Sequence, residues 1–111
     1  MKRYGSVVEL KKDCIEKYCD LHRNPWPHVL DMIERCNIRN YSIFMRRFPD
    51  GRYYLFSYFE YIGNDYEADM KKMADDEIIQ KWWDECMPCH TPFADRDVGE
   101  WWASMEEVFH C

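Results

Sequence analysis

Residues 38–61 read IRNYSIFMRRFPDGRYYLFSYFEY. Two runs rich in aromatic and β-branched residues flank Phe48-Pro49-Asp50-Gly51. Asp-Gly between such runs is a hairpin signal. The expectation is a strand over 38–47, a tight turn, and a strand over 52–61. In the second strand Tyr53, Leu55, Ser57, Phe59 and Tyr61 alternate with Arg52, Tyr54, Phe56, Tyr58 and Glu60. Successive strand side chains point to opposite faces. Both faces carry aromatic rings, so both are expected to be covered.

On the N-terminal side of this hairpin, residues 3–11 suit a strand through Val7, Val8 and Leu10. Asp13 with Glu16 has the spacing of a capping box. Ile15, Tyr18, Cys19 and His22 then fall on one helical face. Pro25 and Pro27 forbid an undisturbed continuation of that helix. Helical periodicity resumes from Pro27 to Cys36, and Asn37 stops it. On the C-terminal side, 66–74 and 77–87 read as two short helices, the second ended by Pro88. Residues 89–103 read as a long loop, and Glu106 to His110 as a final strand.

The order is β-α-β-β-α-β. That order gives an α+β fold of the ferredoxin-like split βαβ kind, a four-stranded antiparallel sheet with helices on one face. The aromatics on the other face are expected to be buried against a second subunit, in a dimeric α/β barrel-type assembly.

The 111 residues fit a single domain, 1–111. Hydrophobic residues make up 47% and charged residues 32%, a globular composition. The formal net charge of −6 argues against nucleic acid, which requires clustered Lys and Arg. No apolar run approaches the ~20 residues of a membrane helix. The segment Met1-Lys2-Arg3-Tyr4 begins a strand and carries no apolar signal core, so a cytoplasmic location is expected. The six cysteines are then expected as reduced thiols. Cys86-Met87-Pro88-Cys89-His90 fits the C-x-x-C-H pattern of c-type haem attachment. Haem attachment requires export, so these cysteines read as free thiols at a helix end. No cofactor and no metal site are expected.

Tyr18 to Pro27 concentrates a histidine, two aromatics and two prolines in ten residues. His22 is the natural candidate for proton transfer, because histidine has a reference pKa of ~6.5. Tyr18 lies four residues before it, and Trp26 sits in the bend that follows.

These residues and several others resemble the L-rhamnose mutarotase family along nearly the whole chain. The matching pieces are Tyr18 with His22, Asn24 with Pro25-Trp26-Pro27, Asn40-Tyr41-Ser42-Ile43-Phe44, Trp82-Trp83, Met87-Pro88, and Glu106-Glu107-Val108-Phe109. The resemblance implies a dimeric ferredoxin-like protein that interconverts the α and β anomers of L-rhamnose. It implies His22 as the proton donor, with Tyr18, Tyr41, Trp82 and Trp83 as sugar contacts. Trp26 is a further candidate contact.

Mutarotation requires a group that gives and takes a proton near neutral pH. Sugar binding requires flat apolar area with polar tips, which Trp and Tyr supply. Tyr18, Tyr41, Glu60 and water are the candidates for a general base. The loop from Cys89 to Ser104, with a second Trp pair at Trp101 and Trp102, departs from the family pattern. That departure leaves L-fucose as a competing substrate. Fold alone decides no activity. The same fold hosts haem and polyketide monooxygenases, and a sugar-binding module without turnover is a further alternative.

Overall fold

The computed structural model describes residues 1–111. Strand β1 (Lys2–Leu10) opens the chain, and a 3-10 turn over Lys12–Cys14 leads into α1 (Ile15–Arg23). Asp13 lies inside that turn. Cys14 takes the cap position without a side-chain hydrogen bond, so the expected capping box does not form. Asn24 leaves helical geometry at φ −129°, ψ 64°, as a residue before proline must. Pro27 then begins α2 (Pro27–Arg35), where its missing N–H costs nothing.

The hairpin forms as β2 (Ile38–Arg47) and β3 (Tyr53–Tyr61). Two helices follow, α3 (Tyr66–Ala74) and α4 (Glu77–Cys86). A 3-10 turn over Met87–Cys89 joins α4 to β4 (His90–Thr91), and β5 (Ala103–Met105) comes last. The result is an α+β fold with an antiparallel sheet and four helices.

The sheet runs in the order β2-β3-β1-β4, with β5 also on β1. The last strand is not where the sequence pattern put it. Residues 106–111 form no strand, and two short strands lie inside or beside the expected loop. Register explains this. β1 pairs Leu10 with His90 and Glu9 with Thr91, then Val7 with Ala103 and Gly5 with Met105. The free edge of β1 is thus shared between two pieces. Few β1 residues remain beyond Gly5 to template a longer strand. The tail is instead tied by Glu107, whose carboxylate accepts from Arg3 Nε at 2.6 Å. Val108 and Phe109 project into solvent.

Helices cover the face carrying Val8, Leu10 and Leu55, each at most 2% exposed. Tyr18 of α1, Val29 and Met32 of α2, and Ile79 and Trp82 of α4 complete this core. The opposite face keeps Tyr54, Phe56 and Tyr58 half-buried and Phe44 exposed.

A buried polar knot fixes the far end of the sheet. Asp69 of α3 accepts from Tyr61 Oη at 2.5 Å and from Asn37 Nδ2 at 3.0 Å. The Asp65 backbone N–H donates to Tyr61 Oη at 3.0 Å. These hydrogen bonds hold the Asp69 carboxyl below the usual carboxylate range. Gly63 lies against the knot. A Cβ there would sit 2.4 Å from Tyr61 Oη and 2.9 Å from Asn37 Nδ2. Tyr61 cannot swing away without breaking its bonds to Asp69 and Asp65. Gly63→Ala is therefore expected to destabilise the protein by about 1–3 kcal/mol, the cost of overpacking a fixed contact. Urea denaturation measures this, and an unchanged midpoint would show that the knot yields freely.

Candidate active site

Between the inner sheet face and the helices lies a cavity of about 550 Å³. Its size and mainly apolar lining, with a few convergent polar groups, are those of a small-molecule site. A wider depression on α1, around Asp13, Glu16, Lys17 and Asp20, is open, charged and without enclosing walls. The cavity is the better candidate.

Tyr18, His22, Tyr41, Trp82 and Trp83 all line it. Helical spacing delivers the first two: Tyr18 and His22 stack with ring centroids 4.2 Å apart. The Trp82 indole stands edge-on to His22 at 5.2 Å. Trp83 follows it around α4 and also reaches the cavity, half-buried. Trp26 does not line the cavity. It meets the Trp82 ring edge to face at 5.2 Å, so the rigid bend supports a wall from behind.

Tyr41 arrives by a different route. Register slips between Arg39 and Ser42, so Asn40 and Tyr41 together oppose Phe59. Asn40 adopts φ 52°, a left-handed conformation that asparagine tolerates. Its side chain donates to Glu60 Oε1 at 2.8 Å, which pins the bulge. The extra residue puts Tyr41 on the same inner face as Ile38 and Ile43. Its ring lies 5.5 Å from that of Phe59. Bulges commonly re-aim a side chain in this way next to a site.

The electrostatics are dominated by desolvation. Burial pushes the Tyr18 phenol far above its ordinary value and the Tyr41 phenol up to about 12. Tyr41 is 42% exposed overall, so the buried part is the hydroxyl end that titrates. Both phenols stay protonated at neutral pH. As a general base, Glu60 is removed by position. It lies on the outer sheet face, where Tyr58 Oη donates to Oε2 at 2.7 Å, and it does not line the cavity.

His22 is half-buried, and burial lowers its pKa, partly opposed by a hydrogen bond to the Tyr18 carbonyl. Nδ1 lies 2.8 Å from that oxygen. A carbonyl only accepts, so Nδ1 carries the proton. In the neutral ring Nε2 therefore holds the free lone pair.

Several cavity residues were not singled out from sequence. His90 of β4 is only 5% exposed. Trp101 Nε1–H donates to His90 Nδ1 at 3.0 Å. His90 is tilted against Tyr18 at 5.1 Å and edge-on to Trp102 at 5.2 Å. Burial, followed by the charges of His22 and Lys11, lowers its pKa to about 4. Ser6 and Ser57 add a polar floor, with their hydroxyls 2.6 Å apart. The only sequence signals for His90 were the C-x-x-C-H pattern and the Trp pair eleven residues on. The two cysteines of that pattern are buried, which raises Cys86 to about 12 and Cys89 to about 11. Both are neutral thiols. No group of three or more His, Cys, Asp or Glu side chains is placed to hold a metal ion.

Residues 3–111 match the model of the L-rhamnose mutarotase family. An L-rhamnose mutarotase from Bacillus subtilis is 34% identical over 110 residues, covering 99% of this chain and 98% of the relative. One from Lactiplantibacillus plantarum is 29% identical over 110 residues, with the same coverage. The crystal structure of an L-rhamnose mutarotase from Formosa agariphila shares the fold with a TM-score of 0.73, at 24% identity over 100% of this chain and 99% of that one.

Burial of two histidines has a measurable consequence. In the unfolded chain histidine titrates near ~6.5. Folded His90 titrates at about 4. Between these values the unfolded state binds more protons, so stability falls as pH drops through that window. His90→Gln is expected to flatten this part of the stability–pH curve. The histidine Cε1–H resonances should place His90 near pH 4 and His22 below the ordinary value. A His90 resonance titrating near neutrality would contradict the buried geometry.

Proposed function

The chain belongs to the L-rhamnose mutarotase family, and we infer that it interconverts the α and β anomers of L-rhamnose in this cavity. It is an isomerase of the aldose mutarotase kind. The observation that carries the site assignment is the locked tautomer of His22. Its Nδ1–H is bound to the Tyr18 carbonyl, so Nε2 is the one basic atom offered to a sugar.

Nε2 takes the proton of the anomeric hydroxyl. The C1–O5 bond breaks with its electron pair on O5, C1=O1 forms, and His22 Nε2–H delivers its proton to O5. The aldehyde then rotates about C1–C2, and the reverse sequence closes the ring on its other face. One histidine thus serves as base and acid in turn. Trp82 and Trp83 supply apolar area for the C–H patches of the pyranose, and the Tyr18 and Tyr41 hydroxyls supply donors that remain protonated.

Acid–base help of this kind is worth about 10²–10⁴ in rate. His22→Ala is expected to lose an acceleration of that size. The assay is anomer exchange by NMR saturation transfer on L-rhamnose, with L-fucose in parallel. The acid limb of the rate profile should lie below the ordinary histidine value, because burial lowers the His22 pKa. Undiminished exchange in His22→Ala would remove His22 from the mechanism, and a response to fucose alone would overturn the substrate.

The same reading includes a homodimer of one ferredoxin-like domain per chain, located in the cytoplasm. The antiparallel order β2-β3-β1-β4 supports the split βαβ plan. One contiguous core cluster supports a single domain. Six free cysteines suit a reducing compartment. The dimer is supported by the uncovered sheet face. Phe44 is 65% exposed there, beside Phe56, Tyr58 and the Phe48–Tyr54 aromatic pair. A second copy covering this face would bury them. Light scattering should give twice the chain mass of 13.7 kDa, and Phe44→Glu should shift it toward a monomer. A monomeric wild type would refute this assembly.

A further inference from the structure

We propose that Ser6, Ser104 and Glu100 form a specificity subsite of this cavity, which holds the non-reacting hydroxyls of the sugar ring while Ser57 positions Ser6. The assignment rests on the mutarotase reading above and extends it from the anomeric centre to the rest of the substrate.

The sheet register builds the subsite. Ser6 of β1 lies opposite Ser57 of β3 on one side and opposite Ser104 of β5 on the other. Directly opposed residues share a sheet face. The three serines therefore form one rung across three adjacent strands, in steps of about 4.8 Å. Val8 with Leu55 makes the next rung along the same face, and Tyr4 with Phe59 the one before. Val8 and Leu55 belong to the buried core, so the serine rung also faces inward. All three serines line the cavity.

A rung of small hydroxyls between bulkier apolar rungs does two things. It leaves room above the sheet that a larger side chain would fill, and it puts polar atoms on an otherwise apolar floor. Alanine would leave the same room, so space alone does not account for the hydroxyls. The Ser6 and Ser57 oxygens are 2.6 Å apart, and only one of their two hydrogens can lie between them. The other hydrogen is left for a ligand. Ser57 is 5% exposed and acts through Ser6, which is half-buried, while Ser104 is exposed at the cavity edge.

Glu100, half-buried, lines the cavity beside the Ser104 end of this rung. Its Oε1 accepts from the backbone N–H groups of Asp97 and Ser104, each at 3.2 Å. The Ser104 N–H leads the effects that hold this carboxyl below the usual carboxylate range, against an opposing effect of burial. Glu100 is therefore an ionised acceptor fixed through one oxygen, and Oε2 accepts from no protein donor. A carboxylate recognises hydroxyls as donors, and the serines both give and accept. Such bonds are directional. L-Rhamnose and L-fucose differ in configuration at C2 and C4, so a fixed row of polar atoms distinguishes them where stacking on indole faces does not. These bonds are made to the closed ring and to the transition state alike. They set affinity and the choice of sugar, and the chemical step stays with His22.

The test is isothermal titration calorimetry of the intact protein with L-rhamnose and L-fucose, with anomer exchange in parallel. Ser6→Ala keeps the room and removes the hydroxyl, and should weaken rhamnose binding about 3- to 10-fold. Glu100→Gln keeps an oxygen for the two N–H groups and should weaken it about 10- to 100-fold, the scale for a charged acceptor. In exchange, the larger share of each loss should fall on KM rather than on kcat. The ratio of the two sugar affinities should move toward one in both variants. Among L-rhamnose analogues lacking the hydroxyl at C2, C3 or C4, at least one should bind Ser6→Ala as tightly as it binds the wild type.

Folded Ser6→Ala and Glu100→Gln proteins that bind L-rhamnose like the wild type would overturn the assignment, as would an equal Ser6→Ala penalty for all three deoxy sugars. If the variants do not fold, the wild type decides, and a Ser104 amide resonance unmoved by saturating L-rhamnose refutes the subsite. A wild type that binds L-rhamnose without accelerating exchange sinks the mutarotase reading alone. One that binds neither sugar sinks both, and the variant and spectral outcomes sink only the subsite.

Discussion

The hydrogen bond from His22 Nδ1–H to the Tyr18 carbonyl is the constraint around which the cavity is arranged. It binds a side chain to its own helix one turn back, so the ring has little freedom left. It also decides which nitrogen is basic. That bond needs α1 to be regular through Tyr18 and His22 and to stop soon after. Asn24 breaks the helix, and the Pro25–Pro27 segment turns the chain. The turn carries Trp26 behind Trp82, and Trp82 stands edge-on to the His22 ring. Each neighbour therefore holds the ring from a different direction.

Burial gives this arrangement its chemistry and also its cost. The same desolvation keeps two tyrosines protonated and two histidines neutral near pH 7. Charged forms would be far more expensive in this volume. These four groups therefore bring no fixed charge to the cavity. Of the carboxylates, Glu60 is held on the opposite sheet face and Asp69 is satisfied in the knot with Tyr61 and Asn37, while Glu100 reaches the lining with Oε1 accepting from the backbone N–H groups of Asp97 and Ser104. A carboxylate beside His22 would hold the ring protonated and remove its lone pair. The placement of charge is thus as much a part of the site as the rings that line it.

How much of this could be read from sequence depends on the range of the interaction. The Tyr18–His22 pair is local, and helical spacing alone puts both on one face. The hairpin was legible because alternation and Asp-Gly agree. Tyr41 is different. Strict alternation from Ile38 would send Asn40 and Ser42 inward, and only the bulge at Asn40 reverses that. Nothing in period two announces a bulge, so Tyr41 was reached through family resemblance instead. The last strand was misplaced because Glu106 to His110 has strand-forming residues, whereas β1 offers its edge to residues 90–91 and 103–105. His90 was least legible. Its placement depends on an indole eleven residues away and on a two-residue strand pairing, and neither leaves a periodic trace. The C-x-x-C-H pattern around it pointed to a chemistry that the buried, protonated thiols do not support.

The composition of the walls follows from what the proposed reaction demands of a bound sugar. The ring must open, and the aldehyde must rotate about C1–C2 before closure. A site that gripped every hydroxyl equally would stabilise the closed anomers as well as the transition state, and uniform binding does not raise the chemical rate. Stacking on indole faces is different. It holds the C–H surface of the sugar while imposing little directional restraint on the hydroxyl at C1. In the proposed reaction, directional bonding at the reacting end is then reserved for the oxygens that lose and gain the proton, which meet the one basic nitrogen of His22. A cavity of about 550 Å³ with mainly apolar walls and a few oriented donors suits that division. On the proposed mechanism, rigid aromatic rings bind the sugar, His22 moves the proton, and the space between them lets the open chain turn.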